Sequence, residues 1–175
     1  MAYDATINRR PMDALFDLRG EKPVIADISA IAGLTLPEHP NSMTSHDGAS
    51  ILWIGPGRWL LRAPLAREDE LAAALAAATG GRLANSTLVS DMYAGFEVSG
   101  PEAGDVLAQG CPINLNPGRF PPGAATSTEM FGVAVLLCHE DEGPSFTAYV
   151  ENSYFDYVVG RLRRGAFPQE APINR

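Results

Sequence analysis

Two stretches of the chain follow one plan, and that plan leaves few folds open. "ASILWIGPGRWLLRAPLAREDELAAALAAA" (49–78) and "GVAVLLCHEDEGPSFTAYVENSYFDYVVGRL" (132–162) each read as an apolar strand, a turn, a second strand and then a helix. In the first, Ile51–Ile54 and Arg58–Arg62 are the strands and Gly55–Arg58 is the tip. Proline at the second turn position presets φ and Gly57 at the third permits positive φ, the type II pattern. The helix that follows is alanine- and leucine-rich, with acids in its first turn and Gly80–Gly81 at its end. In the second, Val133–Cys138 and "SFTAYVE" form the hairpin and "NSYFDYVVGRLRRG" the helix. Ser153 is its expected N-cap, and Tyr154, Tyr157, Val158, Arg161 and Leu162 share a face. A strand pair that returns through a helix, used twice, predicts an α+β fold. It consists of two split β-α-β (ferredoxin-like) modules with antiparallel sheets backed by helices.

The rest of the chain fits around this frame. Residues 1–22 carry no clean period and are expected to form an N-terminal arm. The domain proper is then 23–165, one domain of two pseudo-repeated modules, with 166–175 as a C-terminal tail. "PVIADISAIAGLTL" (23–36) alternates loosely and predicts one or two strands. "PEHPNSMTSHDGAS" (37–50) is rich in breakers and predicts loop. Residues 82–100 predict two extended segments with a bend near Asp91–Ala94. "SGPEAGDVLAQGCP" predicts a helix, with Ser99 and Glu102 at capping-box spacing, Pro101 in the first turn and Gly110 closing it. "INLNPGRFPPGAA" predicts loop.

The charge balance excludes one class of partner. With 13 Lys and Arg against 21 Asp and Glu, the net charge is −8. The average field repels nucleic acid. The densest basic group, Arg161, Arg163 and Arg164, falls late in the third helix, where cations suit the helix dipole. No run approaches the roughly 18 apolar residues that span a bilayer. The first residues show no apolar core of a secretory signal. A cytoplasmic protein with two free thiols, Cys111 and Cys138, is the expectation.

No motif gathers catalytic chemistry. A phosphate loop needs glycines between a strand and a helix N-terminus. The glycines of "WIGPGRWLL" lie between two strands, and Pro56 lacks an N–H. "SGPEAG" does open a helix, but Glu102 there repels an anion. His39 and His46, flanked by Glu38 and Asp47, sit in loop, and His139 follows an apolar strand. No CxxC, HxH or HExxH spacing groups them into a zinc site, so each is expected at the surface. A nucleophilic Cys111 would need a base nearby in space. Long apolar and aromatic residues outside the core period, Phe16, Phe120 and Phe167, are candidate partner anchors, together with Trp53 and Trp59 of the hairpin.

From Leu88 to Leu162 the sequence resembles the gamma subunit of heterotetrameric sarcosine oxidase. The likeness lies in the Asp-x-Tyr lead at Asp91–Tyr93, "GFEVSGPEA" with "VLAQGCPINL", "RFPPGAATST" and "VENSYFDYV". The earlier "ILWIGPGRWLL" fits as well, so the resemblance covers roughly residues 40–165. That family is related to the folate-binding domain of the glycine-cleavage aminomethyltransferase. There, a hairpin with a glycine pair is followed by acidic residues, one of which holds the pterin. The corresponding piece here is "STEMFGVAVLL". No aspartate follows Gly132, and Glu129 precedes it. The resemblance therefore implies a retained fold with a lost folate anchor, and a structural subunit that binds no cofactor itself. It implies a parent complex that oxidatively demethylates sarcosine to glycine and passes the one-carbon unit to tetrahydrofolate. FAD, covalently bound FMN, NAD and tetrahydrofolate would belong to alpha and beta subunits, and zinc to a delta subunit. Three alternatives stay open: a stand-alone folate-binding or one-carbon transferase-like protein, a subunit of a related N-methyl amino acid dehydrogenase such as that for N-methylglutamate, and an independent protein-binding module.

Overall fold

The computed structural model describes residues 2–140 and 143–167. In chain order its elements are β1 (Thr6–Arg9), β2 (Asp13–Gly20), α1 (Lys22–Ser29), β3 (Met43–His46), β4 (Ala49–Gly55), β5 (Arg58–Pro64), α2 (Glu68–Thr79), β6 (Ala84–Leu88), β7 (Tyr93–Ser99), α3 (Ala103–Ala108), β8 (Ala124–Met130), β9 (Val133–His139), β10 (Ser145–Glu151) and α4 (Phe155–Ala166). The chain divides into two compact units. One runs up to Pro11 and resumes at Tyr93; the other is Met12–Met92.

The unit Met12–Met92 is an antiparallel sheet in the order β3-β4-β5-β2-β6. Leaving out the short edge strand β3, the path β2-α1-β4-β5-α2-β6 with that strand order is a ferredoxin-like plait. Strand alternation puts Ala14, Phe16 and Leu18 on one face of β2. They meet Ile25 and Ile28 of α1 and Leu71 and Leu75 of α2 in a buried core. Each of the buried Phe, Leu and Ile side chains contributes about 1.5–3 kcal/mol by leaving water. Gly57 has φ +67°, so the hairpin tip adopts the predicted left-handed residue.

The other unit repeats the plan with one strand relocated. Its sheet order is β1-β7-β10-β9-β8, again antiparallel. The path β7-α3-β9-β10-α4 supplies three strands of a second plait, and β1, from before the first plait, supplies the fourth. The Tyr3 N–H donates to the Ala166 carbonyl at 3.1 Å, so β1 enters where α4 ends. In both units the hairpin runs into a single 3-10 turn and then a 12-residue helix, Leu65–Arg67 before α2 and Asn152–Tyr154 before α4. The predicted split β-α-β modules are what forms.

Several expectations are corrected. Residues 1–22 are not an arm. β1 and β2 are a strand of each sheet, and β2 is an inner one flanked by β5 and β6. The span 23–165 is accordingly not one domain with an arm attached but parts of two units, each completed by residues from 1–22. Residues 23–36 are not strands. Ile25, Ile28, Ser29 and Ala32 are buried at helical spacing, Pro23 suits the first turn, and Gly33 at φ +76° stops the run. The capping box of α3 does not form. Glu102 accepts the Asp4 N–H at 2.5 Å, and the Ser99 hydroxyl pairs with that of Thr6 at 2.9 Å. On α4 the buried face is Phe155, Val158, Val159, Leu162 and Ala166, while Tyr154 in the preceding turn, Tyr157 and Arg161 are exposed. Ser153 does not cap the helix; its N-cap is Tyr154 and carries no side-chain bond. Of the expected C-terminal tail (166–175), Ala166 closes α4 and Phe167 follows it; residues 168–175 lie outside the described residues.

Candidate functional site

One end of the sheet β1-β7-β10-β9-β8 carries a groove. Tyr93 opens β7, Glu151 closes β10, Gly132 leads into Val133 and Ala134 of β9, and Tyr154 ends the 3-10 turn before α4. These six residues line a cavity of about 330 Å³. Register brings them together. Glu151 lies directly opposite Tyr93, and Ala134 opposite Glu129. Period-2 alternation then aims paired side chains to the same face.

The wall at Gly132 is built on an unusual turn. Met130 pairs with Val133, so the β8–β9 loop is Phe131-Gly132 alone. Both residues have positive φ, +53° and +80°. That is the I′ geometry, which suits strand twist but is unfavourable for a bulky first residue by about 1–2 kcal/mol. Phe131 is held in it from several sides. Its N–H donates to the Gly110 carbonyl at 2.9 Å, its carbonyl accepts the Tyr157 hydroxyl at 3.4 Å, and the Arg161 guanidinium lies 4.9 Å from its ring centroid. A Cβ on Gly110 would stand 2.5 Å from the Phe131 ring, so only glycine admits the ring there.

The residues singled out from sequence are mostly committed elsewhere. Phe16, Trp59 and Phe120 are 1%, 3% and 5% exposed, so none of the three is a surface anchor. Phe16 and Trp59 lie in the core of unit Met12–Met92 because β2 and β5 are inner strands. Phe120 lies near-parallel to His139, 6.3 Å between ring centroids. Trp53, opposite Trp59 across the hairpin, and Phe167, after α4, are half-buried and pack against their own cores. Phe16, Trp53 and Trp59 belong to the unit Met12–Met92, and Phe120 and Phe167 to the other. Sequence pointed away from the groove because Tyr93, Glu151 and Tyr154 come from three elements; the "Asp-x-Tyr" and "VENSY" signatures were the available signal.

The titratable groups take structural positions. His139 is buried, against the surface expectation. It faces inward between Phe120 and Phe146, with Nδ1 2.8 Å from the Phe120 carbonyl and Nε2 3.0 Å from the Gly143 carbonyl. His39 and His46 are exposed, His46 on the edge strand β3 rather than in loop. Cys111 and Cys138 are buried and free. Asp17 on β2 accepts from Arg19 (2.9 Å) and Arg58 (2.8 Å). Burial alone would raise its carboxyl, but the hydrogen bonds and charges of Arg58 and Arg19 outweigh it and hold the group below its ordinary value. Among the described residues, no three His, Cys, Asp or Glu side chains gather in a way that could hold a metal ion. No helix of the described residues is long and apolar enough to cross a membrane.

Two joined plaits of this kind define the class: an α+β protein of the aminomethyltransferase-like fold. The structure of the glycine cleavage system aminomethyltransferase T from Bartonella henselae is similar over 93% of this chain and 46% of that one, with TM-score 0.68 and 12% identity. A chain of the heterotetrameric sarcosine oxidase from Corynebacterium sp. U-96, in a structure with pyrrole 2-carboxylate, is similar over 98% of this chain and 88% of that one, with TM-score 0.85 and 24% identity. At those identities the likeness is one of fold. The sequence goes further. The profile of the sarcosine oxidase, gamma subunit family matches residues 20–166, and the chain belongs to that family. Sarcosine oxidase subunit gamma of an Arthrobacter species is 33% identical over 118 residues, and that of Corynebacterium sp. strain P-1 is 34% identical over 118. Each match covers 67% of this chain and 57% of the relative.

Proposed function

We propose that this chain is the non-catalytic gamma subunit of a heterotetrameric sarcosine oxidase-like complex and acts in its assembly. The observation that carries the proposal is family membership over residues 20–166. Both thiols and His139 are buried within the fold, while His39 and His46 are exposed. The partners are alpha, beta and delta subunits. FAD, FMN, NAD and tetrahydrofolate work in the larger ones and zinc in delta, and the complex demethylates sarcosine to glycine in the cytoplasm. Trp53 and Phe167 remain anchors for that assembly, since each keeps part of its ring at the surface.

The test is to express the tagged chain in its own host and weigh what accompanies it. A large yellow complex that oxidises sarcosine is the expected result. A lone 18.6 kDa species without a flavin-bearing partner overturns the proposal. Oxidation of sarcosine by the purified chain alone overturns its non-catalytic part.

A further inference from the structure

We propose that the groove bounded by Tyr93, Gly132, Ala134, Glu151 and Tyr154 receives an arginine side chain from a partner polypeptide. The inference rests on the subunit role proposed above and names the chemistry of one contact in it. Its starting point is polar capacity left unused. The Glu151 carboxylate and the Tyr93 and Tyr154 hydroxyls make no hydrogen bond or ion pair with any described residue, and the three residues line one cavity of about 330 Å³. Tyr154 is 46% exposed and Glu151 lies at the surface, so the groove is open to an incoming group.

Its chemistry selects a flat organic cation. Two phenol rings offer π faces and one carboxylate offers two acceptor oxygens, the pair of features that a planar guanidinium satisfies together by stacking and by parallel N–H donation. A carboxylate-bearing or phosphate-bearing ligand would meet Glu151 as a like charge. Glu129, opposite the lining residue Ala134, adds a second negative group beside the groove. Arg161 stacks on Phe131 and makes no ion pair with Glu151. Arginine over an aromatic ring already recurs in this unit, with Arg9 4.4 Å from the centroid of Phe155. The net charge of −8 favours a basic approaching surface as well. Gly132 adds no side chain to the wall, and a Cβ there would meet nothing within 4 Å.

The test titrates the full chain with acetyl-Gly-Arg-Gly-amide and follows its amide resonances. Saturable shifts confined to Tyr93, Gly132, Ala134, Glu151 and Tyr154 are expected, and acetyl-Gly-Glu-Gly-amide produces none. Glu151→Gln, at an exposed site, weakens the arginine peptide by about fivefold or more through loss of the charged acceptor, and Tyr154→Ala does likewise through loss of a stacking face. Absence of saturable shifts, equal affinity in Glu151→Gln, or methylamine binding as tightly as the arginine peptide each overturns the inference. Co-purification from the host separates it from the subunit role. If the wild-type chain captures a flavin-bearing partner and both variants capture it equally at every salt concentration, the arginine contact is wrong while the subunit role stands. If the wild-type chain captures nothing, the subunit role fails and takes the partner assignment with it, whatever the titration gives.

Discussion

Asp17 is a carboxylate that the fold has surrounded with cations, and its pH behaviour follows from that. Arg19 and Arg58 hold it ionised in spite of burial. A carboxyl held below its ordinary value of 3.8 stabilises the folded state above that pH, and the contribution disappears as pH falls through 3.8 toward the folded value. Asp17→Asn should cost about 1–2 kcal/mol near neutral pH, a modest figure because both guanidinium groups are partly solvated. Urea unfolding at stepped pH checks it: the gap between wild type and variant should narrow below 3.8, and a constant gap contradicts the assignment. Gly110 makes a second residue-scale case. A methyl in place of its Cα hydrogen would run into the Phe131 ring, so Gly110→Ala overpacks the contact and should cost about 1–3 kcal/mol. In a Phe131→Ala background the same change should cost far less, because the clash is gone. An additive double-mutant cycle would count against the ring as the cause. Neither site was legible in the sequence. Asp17 looks like a polar break in an arm until β5 is laid beside β2, and Gly110 looks like a helix stop, which it also is.

At the scale of elements, local chemistry spoke clearly wherever one face of an element is apolar and its ends are marked. α2 has acids at the start and Gly80–Gly81 at the end. The β4–β5 and β9–β10 hairpins have apolar runs on either side of a turn. The elements that were missed lack such marks. β2 is buried along most of its length, so Leu15 and Asp17 are as covered as Phe16 and the alternation vanishes. β8, "AATSTEM", spends its alternation on threonine and serine, and its turn uses Phe131 where Asn or Asp is usual. α1 is only eight residues long, and the apolar alternation Val24, Ala26, Ile28, Ala30 running through it imitates a strand. The relocated strand yields a prediction of its own. Removing residues 2–11 takes away β1, the Tyr3–Ala166 bond, the Arg163 donation to the Ile7 carbonyl at 3.2 Å and the Arg9–Phe155 stack. It also leaves β7 as a naked edge. Amide exchange in β7 and α4 should accelerate by at least about tenfold, the equivalent of 1.4 kcal/mol of local protection. Unchanged protection would mean β1 is dispensable to the sheet.

For the molecule as a whole, the twofold strand-turn-strand-helix plan was readable because it is local. The exchange of β1 was not, because it joins residues 93 positions apart, Thr6 and Ser99. The same limit applies to ligands: fold and family are carried by pattern, while binding depends on which side chains a turn delivers. The aminomethyltransferase-like fold invites a folate titration, and the hairpin predicts its result. After Gly132 the β9 strand runs Val133, Ala134, Val135, with no carboxylate to anchor a pterin. Glu129 lies across on β8 opposite Ala134, exposed, and Glu151 closes the adjoining strand β10 on the other side of β9, opposite Tyr93. A pterin approaching the hairpin therefore loses its charge-assisted hydrogen bonds, a deficit of about 1.5–3 kcal/mol for each one missing. Calorimetry of the full chain with tetrahydrofolate should give no saturable heat in the micromolar range. Grafting Ala134→Asp into β9 beside the turn should not restore it by itself, because the Phe131 ring and the Arg161 guanidinium stacked on it still occupy the turn. Micromolar binding by the wild-type chain would instead mean that Glu129 or Glu151 replaces the missing acid, and Glu129→Gln and Glu151→Gln, measured separately, would say which.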